Sequence, residues 1–460
     1  TKRITFNFQL FIAKGSKTFG STFKLNIMFV SVDLGNSRII MMAAERQADG
    51  TLKVLALETM ETPAECIQHG IVKKPADVAL LLSSMAKKME NRLENLLGKK
   101  YDINSFYTAV NGRSLRSVRG HVDRTFSTST EVTLGELSTL RNDLRDKINT
   151  EKAIYSITNE EYIVDGEYVR EPNGIVCREI GANYLIVLGR TDIQDNLAKC
   201  INRAVQFTDV NCDTLAPLAM ADAVLSDEDK SEGVVHINFG ATTTSVVVYQ
   251  NGYLRHVAVV PFGGKHITND LANEACELNI TPTEAELLKV QKGTPIDNLG
   301  ASDVNLKMPS KPGSEPRIVS KRAMIKIINA RLAEIVALCM EEVERSGYAE
   351  QLRAGVVVTG GASRMADFKE FIEQKTEMNV RFGSFTHHLD AESAEKYADT
   401  EYTLLVGLLL NATDECITER KTVETEKDKP IAPKKEKKDP FWKRINVGTL
   451  FDDPEEPTIK

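Results

Sequence analysis

Apolar runs of a few residues alternate along this chain with longer segments in which apolar residues recur at helical spacing. The short runs end at small or polar residues and predict buried strands; they lie at residues 29–32, 106–110, 184–188, 234–237 and 355–358. The longer segments predict helices at residues 75–97, 191–204, 217–225, 320–346 and 402–410. This alternation of strands and helices predicts an α/β fold.

Two of the predicted strands turn back at once into a second strand, and each pair predicts a β-hairpin. The first hairpin turns at Gly35, Asn36 and Ser37. The second follows Asn238, and its tip is made of small and hydroxyl residues: Gly240, Ala241, Thr242, Thr243 and Thr244. Such tips let backbone N–H groups approach an anion closely, and hydroxyl groups add further donors. Both tips therefore fit a phosphate, with a plain surface turn as the alternative at each.

Two charged residues flank the first tip. Asp33 ends the strand before it, and Arg38 begins the strand after it. A carboxylate at this position could hold Mg²⁺, directly or through water, while a guanidinium could meet phosphate oxygens. For this hairpin taken alone, the alternative is an ordinary aspartate and arginine beside a surface turn.

Composition and charge narrow the class of protein. A chain of 460 residues, 42% hydrophobic and 27% charged, is globular and long enough for roughly two to four domains. Its net charge of −7 gives no overall basic field, so we expect no nucleic-acid partner. Seven scattered cysteines without a Cys-x-x-Cys motif indicate reduced thiols rather than disulfides or a zinc site. No apolar run is long enough to cross a bilayer.

Four segments depart from the alternating pattern. Residues 112–185 have an α+β pattern without a phosphate-type turn and predict an inserted small domain. Residues 226–232 are polar and predict a loop that acts as a hinge. Past residue 411 the chain is rich in Glu, Lys, Asp, Thr and Pro, which predicts a flexible linker. Residues 1–27 are basic, and since Met28 directly precedes a strand we expect them to be an extension or a disordered basic arm.

The end of the chain predicts an interfacial helix. Asp439 and Pro440 are a favourable helix start, and aromatic and aliphatic residues then share one side with cations beside them: Phe441, Trp442, Lys443, Arg444 and Ile445. This pattern is typical of a short membrane-binding helix. A disordered tail or a partner-binding peptide is the alternative from the residues alone.

Several motifs, taken in order, resemble the actin-like ATPase superfamily and, within it, the bacterial cell-division family FtsA. They lie at residues 33–38, 162–166, 233–248, 261–270, 285–289, 358–361 and 406–409. The resemblance implies an actin-like (ribonuclease H-like) two-lobed α/β fold with an inserted small α+β domain. It also implies that the two hairpins clasp the phosphates of ATP, with Mg²⁺ at Asp33, and that Gly360, Gly361 and Ala362 meet the adenosine. Glu286 and Lys289, which lie on one helix face, belong to the same implied nucleotide site.

The resemblance and the composition together predict the organisation of the chain. Residues 28–111 and 186–226 form the first lobe, which the helix in 387–411 closes, and 112–185 is its inserted domain. Residues 227–264 and 335–386 form the core of the second lobe, and 265–334 its smaller subdomain. The remaining segments are the extension 1–27, the linker 412–438, the membrane-targeting helix 439–451 and the acidic tail 452–460.

The chain departs from the family pattern at the second hairpin. The family usually has an aspartate at each end of this hairpin, and this chain has Asn238 and Ser245. A neutral amide cannot hold Mg²⁺ or activate water as a carboxylate does, so we expect nucleotide binding with weak or absent ATPase activity. No catalytic residue can be assigned from the sequence.

The resemblance implies a cell-division adaptor that binds ATP, self-associates into filaments and tethers FtsZ to the membrane. The FtsZ C-terminal tail would dock on residues 265–334, and other division proteins would bind as well. The expected location is the cytoplasmic side of the bacterial cell membrane at the division site. Two alternatives are a pilus-assembly scaffold of the PilM type and an ATP-hydrolysing enzyme of the same superfamily.

Overall fold

The computed structural model describes residues 3–5, 27–148, 150–204, 206–207, 209–276, 278–300, 303–308 and 318–420. Within these ranges no helix is both long and apolar enough to cross a membrane. Residues 412–420 of the predicted linker 412–438 belong to the fold, because Ile417–Glu419 is a paired strand and Ala412, Cys416 and Ile417 are buried. The rest of the predicted linker, the helix with Phe441, Trp442, Lys443, Arg444 and Ile445, and the acidic tail lie outside the described residues.

The strands, in chain order, are β1 (Arg3–Thr5), β2 (Met28–Leu34), β3 (Arg38–Arg46), β4 (Leu52–Glu61), β5 (Ile67–Gln68), β6 (Ile71–Val72), β7 (Tyr101–Ile103), β8 (Ser105–Val110), β9 (Arg116–Glu131), β10 (Ala153–Val164), β11 (Glu167–Val169), β12 (Val176–Gly189), β13 (Asp209–Leu215), β14 (Val234–Phe239), β15 (Thr244–Gln250), β16 (Tyr253–Val260), β17 (Asn305–Lys307), β18 (Ile318–Ser320), β19 (Gly355–Thr359), β20 (Val380–Phe382) and β21 (Ile417–Glu419). The α-helices are α1 (Pro75–Leu97), α2 (Leu134–Lys147), α3 (Thr191–Arg203), α4 (Ala216–Val224), α5 (Asp227–Glu232), α6 (Gly264–Leu271), α7 (Pro282–Lys292), α8 (Lys321–Arg345), α9 (Phe368–Thr376), α10 (Ala391–Lys396) and α11 (Thr403–Leu410).

Two large sheets repeat one arrangement of strands. In the six-stranded sheet, with the order β1-β13-β8-β2-β3-β4, the antiparallel strands β2, β3 and β4 continue into parallel β8 and β13. In the nine-stranded sheet, antiparallel β16, β15 and β14 continue into parallel β19 and β20. The β2–β3 and β14–β15 turns are the two predicted hairpin tips, so each tip occupies the same place in its own sheet.

Two large hydrophobic cores hold the sheets and helices together. One joins the six-stranded sheet to α1, α3 and α11 and also takes in side chains of β14, β15, β16 and β19. The other joins β14, β15 and β19 to α6, α8 and α9. In α8 the buried side chains follow helical spacing and include Ile328, Leu332 and Ile335. This stripe confirms the apolar face predicted for residues 320–346.

Helix α11 lies against α4 at very short range. Gly407 faces the carbonyl oxygen of Ala219, and a Cβ at this position would clash with that oxygen. The glycine therefore allows the two helix backbones to approach each other.

Residues 112–185 contain β9, β10, β11, α2 and most of β12, around a small core of their own. The strand predicted at 184–188 is the end of β12, which begins at Val176 and crosses the predicted boundary between residues 185 and 186. Strand β9 pairs with β16 at Arg116 and Ala258, and this pairing joins the block to the nine-stranded sheet.

The polar segment 226–232 is largely a short helix, α5, so the prediction of a loop is wrong. Ser226 Oγ accepts a hydrogen bond from the Asp229 N–H at 3.1 Å, and the Asp229 carboxylate accepts one from the Ser226 N–H at 2.9 Å. This reciprocal cap satisfies two backbone donors that would otherwise lack partners at a helix start. Gly233, with φ of +96°, ends the helix.

Candidate functional site

Both hairpin tips line one cavity of about 400 Å³. Asn36 comes from the first tip and Thr242 from the second, and His69, Lys265 and His266 complete this part of the wall. The imidazole Nδ1 of His69 lies 3.4 Å from the carbonyl oxygen of Thr242. The fold therefore brings together two turns that are about 200 residues apart in the sequence, as a shared anion site requires.

The shape of the first tip is held by Thr62, which comes directly after β4. Thr62 donates from its hydroxyl to the Gly35 carbonyl at 2.7 Å and from its N–H to the Ser37 carbonyl at 3.0 Å. Ser37 itself is exposed, and the amide oxygen of Asn36 has no hydrogen bond within the described part of the chain. Ser37 is therefore open to a ligand, whereas the Asn36 oxygen is buried without a partner among the residues described.

The second tip is closed by backbone hydrogen bonds and rests on the start of α6. The Gly240 N–H donates to the Thr243 carbonyl at 3.0 Å, and the Gly264 and Lys265 N–H groups donate to the carbonyls of Gly240 and Ala241 at 2.9 and 2.7 Å. Because these carbonyls already have partners, the tip keeps one shape. The hydroxyl of Thr242 is buried and unpartnered among the described residues.

The third predicted element, the Gly360–Gly361 turn, packs directly on the second hairpin. Gly360 has φ of +93°, and a Cβ there would lie 2.5 Å from the carbonyl oxygen of Phe239. A Cβ on Gly264 would lie 3.1 Å from that of Ala362, while a Cβ on Gly361 would meet open space. The turn, the second tip and the start of α6 thus converge, with room on the open side of Gly361.

Helix α7 places the ammonium group of Lys289 against the start of α6. The Lys289 ammonium donates to the Gly264 carbonyl at 3.0 Å, the Thr268 hydroxyl at 2.8 Å and the Glu286 carboxylate at 2.7 Å. The Thr268 hydroxyl also bonds to Glu286. The Lys289 and Thr268 hydrogen bonds lower the pKa of Glu286, although burial opposes them. The structure places Glu286 and Lys289 against the start of α6, on which the second hairpin tip rests, and their role at a nucleotide site stays a prediction.

At the first hairpin, Asp33 and Arg38 lie beside a carboxylate that the sequence analysis missed. Arg38 pairs with Glu401 at 2.9 Å, and Arg364 lies 3.7 Å from the same carboxylate. Burial, with a smaller contribution from the charge of Glu401, raises the pKa of Asp33 to about 7. Asp33 therefore sits at the balance between its neutral and charged forms near neutral pH.

The second hairpin has two neutral residues where the family usually has carboxylates, the half-buried Asn238 and the buried Ser245. Ser245 is buried, and its hydroxyl has no hydrogen bond among the described residues. Asn238 accepts a hydrogen bond through its side-chain oxygen from the hydroxyl of Thr359 at 3.2 Å. Thr359 is a second group that the sequence analysis missed as a site residue.

A bound metal would depend mainly on the nucleotide for its ligands. The described residues contain no group of three or more His, Cys, Asp or Glu side chains placed to hold a metal. Asp33 could supply one carboxylate oxygen, an atom type that suits Mg²⁺. The residues present fit a Mg²⁺ ion that reaches the site with phosphate oxygens and water.

Comparisons with known proteins show which family this chain resembles. The family "Cell division protein FtsA" matches residues 235–407. The chain is 28% identical over 365 residues to the cell division protein FtsA of Pseudomonas aeruginosa, covering 77% of this chain and 82% of that protein. It is 29% identical over 368 residues to the protein of the same name from Neisseria meningitidis serogroup B, covering 77% and 84%.

A solved structure supports the fold independently. A chain of the "PilM-PilN type IV pilus biogenesis complex" aligns with a TM-score of 0.56 and 15% sequence identity, covering 83% of this chain and 97% of that chain. At this identity the likeness concerns the fold alone. The predicted α/β, actin-like fold and the predicted resemblance to FtsA are confirmed.

Proposed function

We propose that this FtsA-like chain is a cell-division adaptor that binds ATP with Mg²⁺ and self-associates into actin-like filaments. In this proposal it also tethers FtsZ to the cytoplasmic side of the bacterial cell membrane at the division site. The similarity to cell division proteins named FtsA, at 24–29% identity over most of the chain, favours this function over that of a pilus scaffold. The structure with the pilus title shares only 15% identity.

One observation carries the nucleotide part of the proposal. The two hairpin tips line one cavity, and the Gly360 turn and the ammonium of Lys289 pack beside it, on the second hairpin and on the start of α6. Backbone N–H groups and hydroxyls of the tips suit phosphate oxygens, and Arg38 adds a positive charge beside the first tip. The open space above Gly361 leaves room for a base or ribose.

Isothermal titration calorimetry of the full chain with ATP and Mg²⁺ tests the proposed nucleotide binding. We expect saturable binding of ATP and about tenfold weaker binding to Arg38→Ala, because a guanidinium that meets a phosphate contributes a charge-assisted hydrogen bond. Arg170→Ala, at an exposed position in the inserted block, should bind as the wild type does. Absence of ATP binding by the wild-type chain would refute the nucleotide proposal.

Partner binding is proposed on residues 265–334. This region has two exposed apolar side chains on α7, Leu287 and Val290, with exposed fractions of 42% and 71%. We expect an FtsZ C-terminal peptide to bind the full chain and to lose affinity for a Leu287→Asp, Val290→Asp variant. Leu80→Asp, an equally exposed apolar position on α1, is the matched control. Failure of the peptide to bind with or without ATP would remove this part of the proposal.

Membrane binding is proposed for residues 439–451, with Phe441, Trp442 and Ile445 on the apolar side and Lys443 and Arg444 beside them. One short helix binds weakly, and several copies in a filament would bind more firmly. Co-sedimentation with vesicles that contain anionic lipid should be lost when residues 439–460 are deleted and retained when only 452–460 are deleted. Equal binding by both truncated chains would contradict the assignment.

A further inference from the structure

Asn238 lies at the end of β14 with the two ends of its side-chain amide facing different neighbours. The amide oxygen lies 2.7 Å from the point that a Cβ on Gly360 would occupy. The amide nitrogen lies 3.9 Å from the corresponding point on Gly240. The nitrogen thus faces the second hairpin tip, while the oxygen faces the neighbouring strand.

A buried hydrogen-bonded chain fixes this orientation. Asn238 and Thr359 stand opposite each other in the parallel pairing of β14 with β19. The Thr359 hydroxyl lies 3.2 Å from the Asn238 oxygen and 2.8 Å from Nε2 of His236. Both Thr359 and His236 are fully buried.

Two arrangements of protons satisfy these distances. In the first, His236 Nε2–H donates to Thr359, whose single hydroxyl proton goes to the Asn238 oxygen. In the second, the amide is reversed and donates to Thr359, which donates to His236 Nε2. The second arrangement puts the imidazole proton on Nδ1, which has no partner among the described residues.

The first arrangement is favoured because it leaves only an acceptor unpaired. A buried N–H without a partner is rarer and costlier in proteins than an unpaired acceptor. Burial lowers the pKa of His236 to about 3, so the imidazole is neutral and keeps one N–H. That proton is on Nε2, and Asn238 presents its NH₂ group to the hairpin tip.

We propose that Asn238 is a phosphate-binding donor and that His236 and Thr359 are positioning residues that aim its amide N–H groups at the nucleotide. This inference rests on the proposed ATP binding. An aspartate in the same place would present only acceptor oxygens to a phosphate. The neutral residue therefore converts a position suited to metal or water into one that binds the phosphate oxygens directly.

The test compares Thr359→Val with Thr359→Ser in the full chain. Affinities for ATP, ADP and adenosine are measured by titration with Mg²⁺ present. We expect Thr359→Val to bind ATP or ADP about tenfold more weakly, which is the scale of one hydrogen bond to a charged group. Adenosine affinity should stay at the wild-type value, and Thr359→Ser should restore nucleotide binding.

Asn238→Asp gives a second, independent readout. Its carboxylate would repel phosphate oxygens, so we expect ATP binding in EDTA to fall further than ATP binding in Mg²⁺, by about tenfold or more. If Thr359→Val does not fold, the affinities of Asn238→Ala and Asn238→Asp for ATP and ADP are compared with their affinities for adenosine instead.

The outcomes separate the two proposals. A wild-type chain that binds neither ATP nor ADP refutes the proposed function and this inference with it. If the wild type binds ATP and Thr359→Val binds it equally well, only the positioning role of His236 and Thr359 is refuted. A parallel loss of ATP, ADP and adenosine affinity would show a general distortion of the cleft and would also refute it.

Discussion

Mg²⁺-dependent binding of ATP should depend steeply on pH through one carboxylate, Asp33. Burial and the charge of Glu401 raise its pKa from 3.8 to about 7. Below that pKa the side chain is neutral and cannot attract Mg²⁺ or the water around it; above it the side chain is charged and can. The sign is therefore fixed, and the contribution of Asp33 to metal binding is present at high pH and lost as the pH falls.

The magnitude follows from the same pKa. With a pKa near 7, about a tenth of the Asp33 carboxyl groups are ionised at pH 6 and about nine tenths at pH 8. The part of the Mg²⁺ affinity that depends on Asp33 should rise about tenfold over this interval. Removal of a neighbouring negative charge lowers the pKa of a carboxyl group, so Glu401→Gln should move the midpoint to lower pH.

The assay is a titration of the nucleotide-bound chain with Mg²⁺ at pH 6, 7 and 8. The terminal phosphate also titrates near neutral pH, so each value is divided by that of Asp33→Asn measured in the same buffer. Glu395→Gln, an exposed position, is the control for Glu401→Gln. A ratio of wild type to Asp33→Asn that is the same at pH 6 and pH 8 would refute the reasoning.

Three further predictions concern the elements around the cleft. Lys289→Met should lower the free energy of unfolding by about 1–3 kcal/mol, because Gly264 and Thr268 each lose a hydrogen bond and the Glu286 carboxylate loses its cation; the exposed Lys292→Met is the control, and equal denaturation midpoints would contradict this. Gly360→Ala should weaken ATP binding, because Gly360 has φ of +93° and the new Cβ would press on the second hairpin. Gly361→Ala is the control for folding: its new Cβ meets open space, so this variant should unfold at the wild-type temperature. Gly407→Val should lower the thermal midpoint more than Gly407→Ala does, because α4 leaves no space for a larger side chain; calorimetry that shows unchanged midpoints would disprove this.

Local signals predicted the long elements of the fold well. Helix α1 begins at Pro75 and ends before Gly98, which adopts the left-handed conformation with φ of 72°, and both residues are helix-boundary signals. Short strands were missed because their partners are remote: β21 pairs with β7, and β20 with β19. The pairing of Arg116 with Ala258 joins distant segments, and no pattern along the sequence indicates it.

The residues of the candidate site likewise fall into those that a local sequence signal predicts and those that only the fold brings together. The hairpin tips were predictable because glycine and threonine at a turn are a local signal. Glu401 was not, because it stands in an ordinary polar stretch and gains its meaning only beside Arg38. The role of Thr359 depends on the register of β14 and β19, which places it opposite Asn238. Contacts set by register between remote strands have no signature in a single sequence.

The two hairpins differ in charge although they occupy equivalent places in their sheets. The first has Asp33 and Arg38 next to Glu401, and the second has the neutral Asn238 and Ser245. A nucleotide between them would meet the charged groups on one side and neutral donors on the other. Neutral donors can hold a phosphate, but they cannot take a proton from an attacking water. The groups of the two hairpins that can hold a metal or take a proton are therefore on the side of Asp33, and the second hairpin offers hydrogen bonds alone.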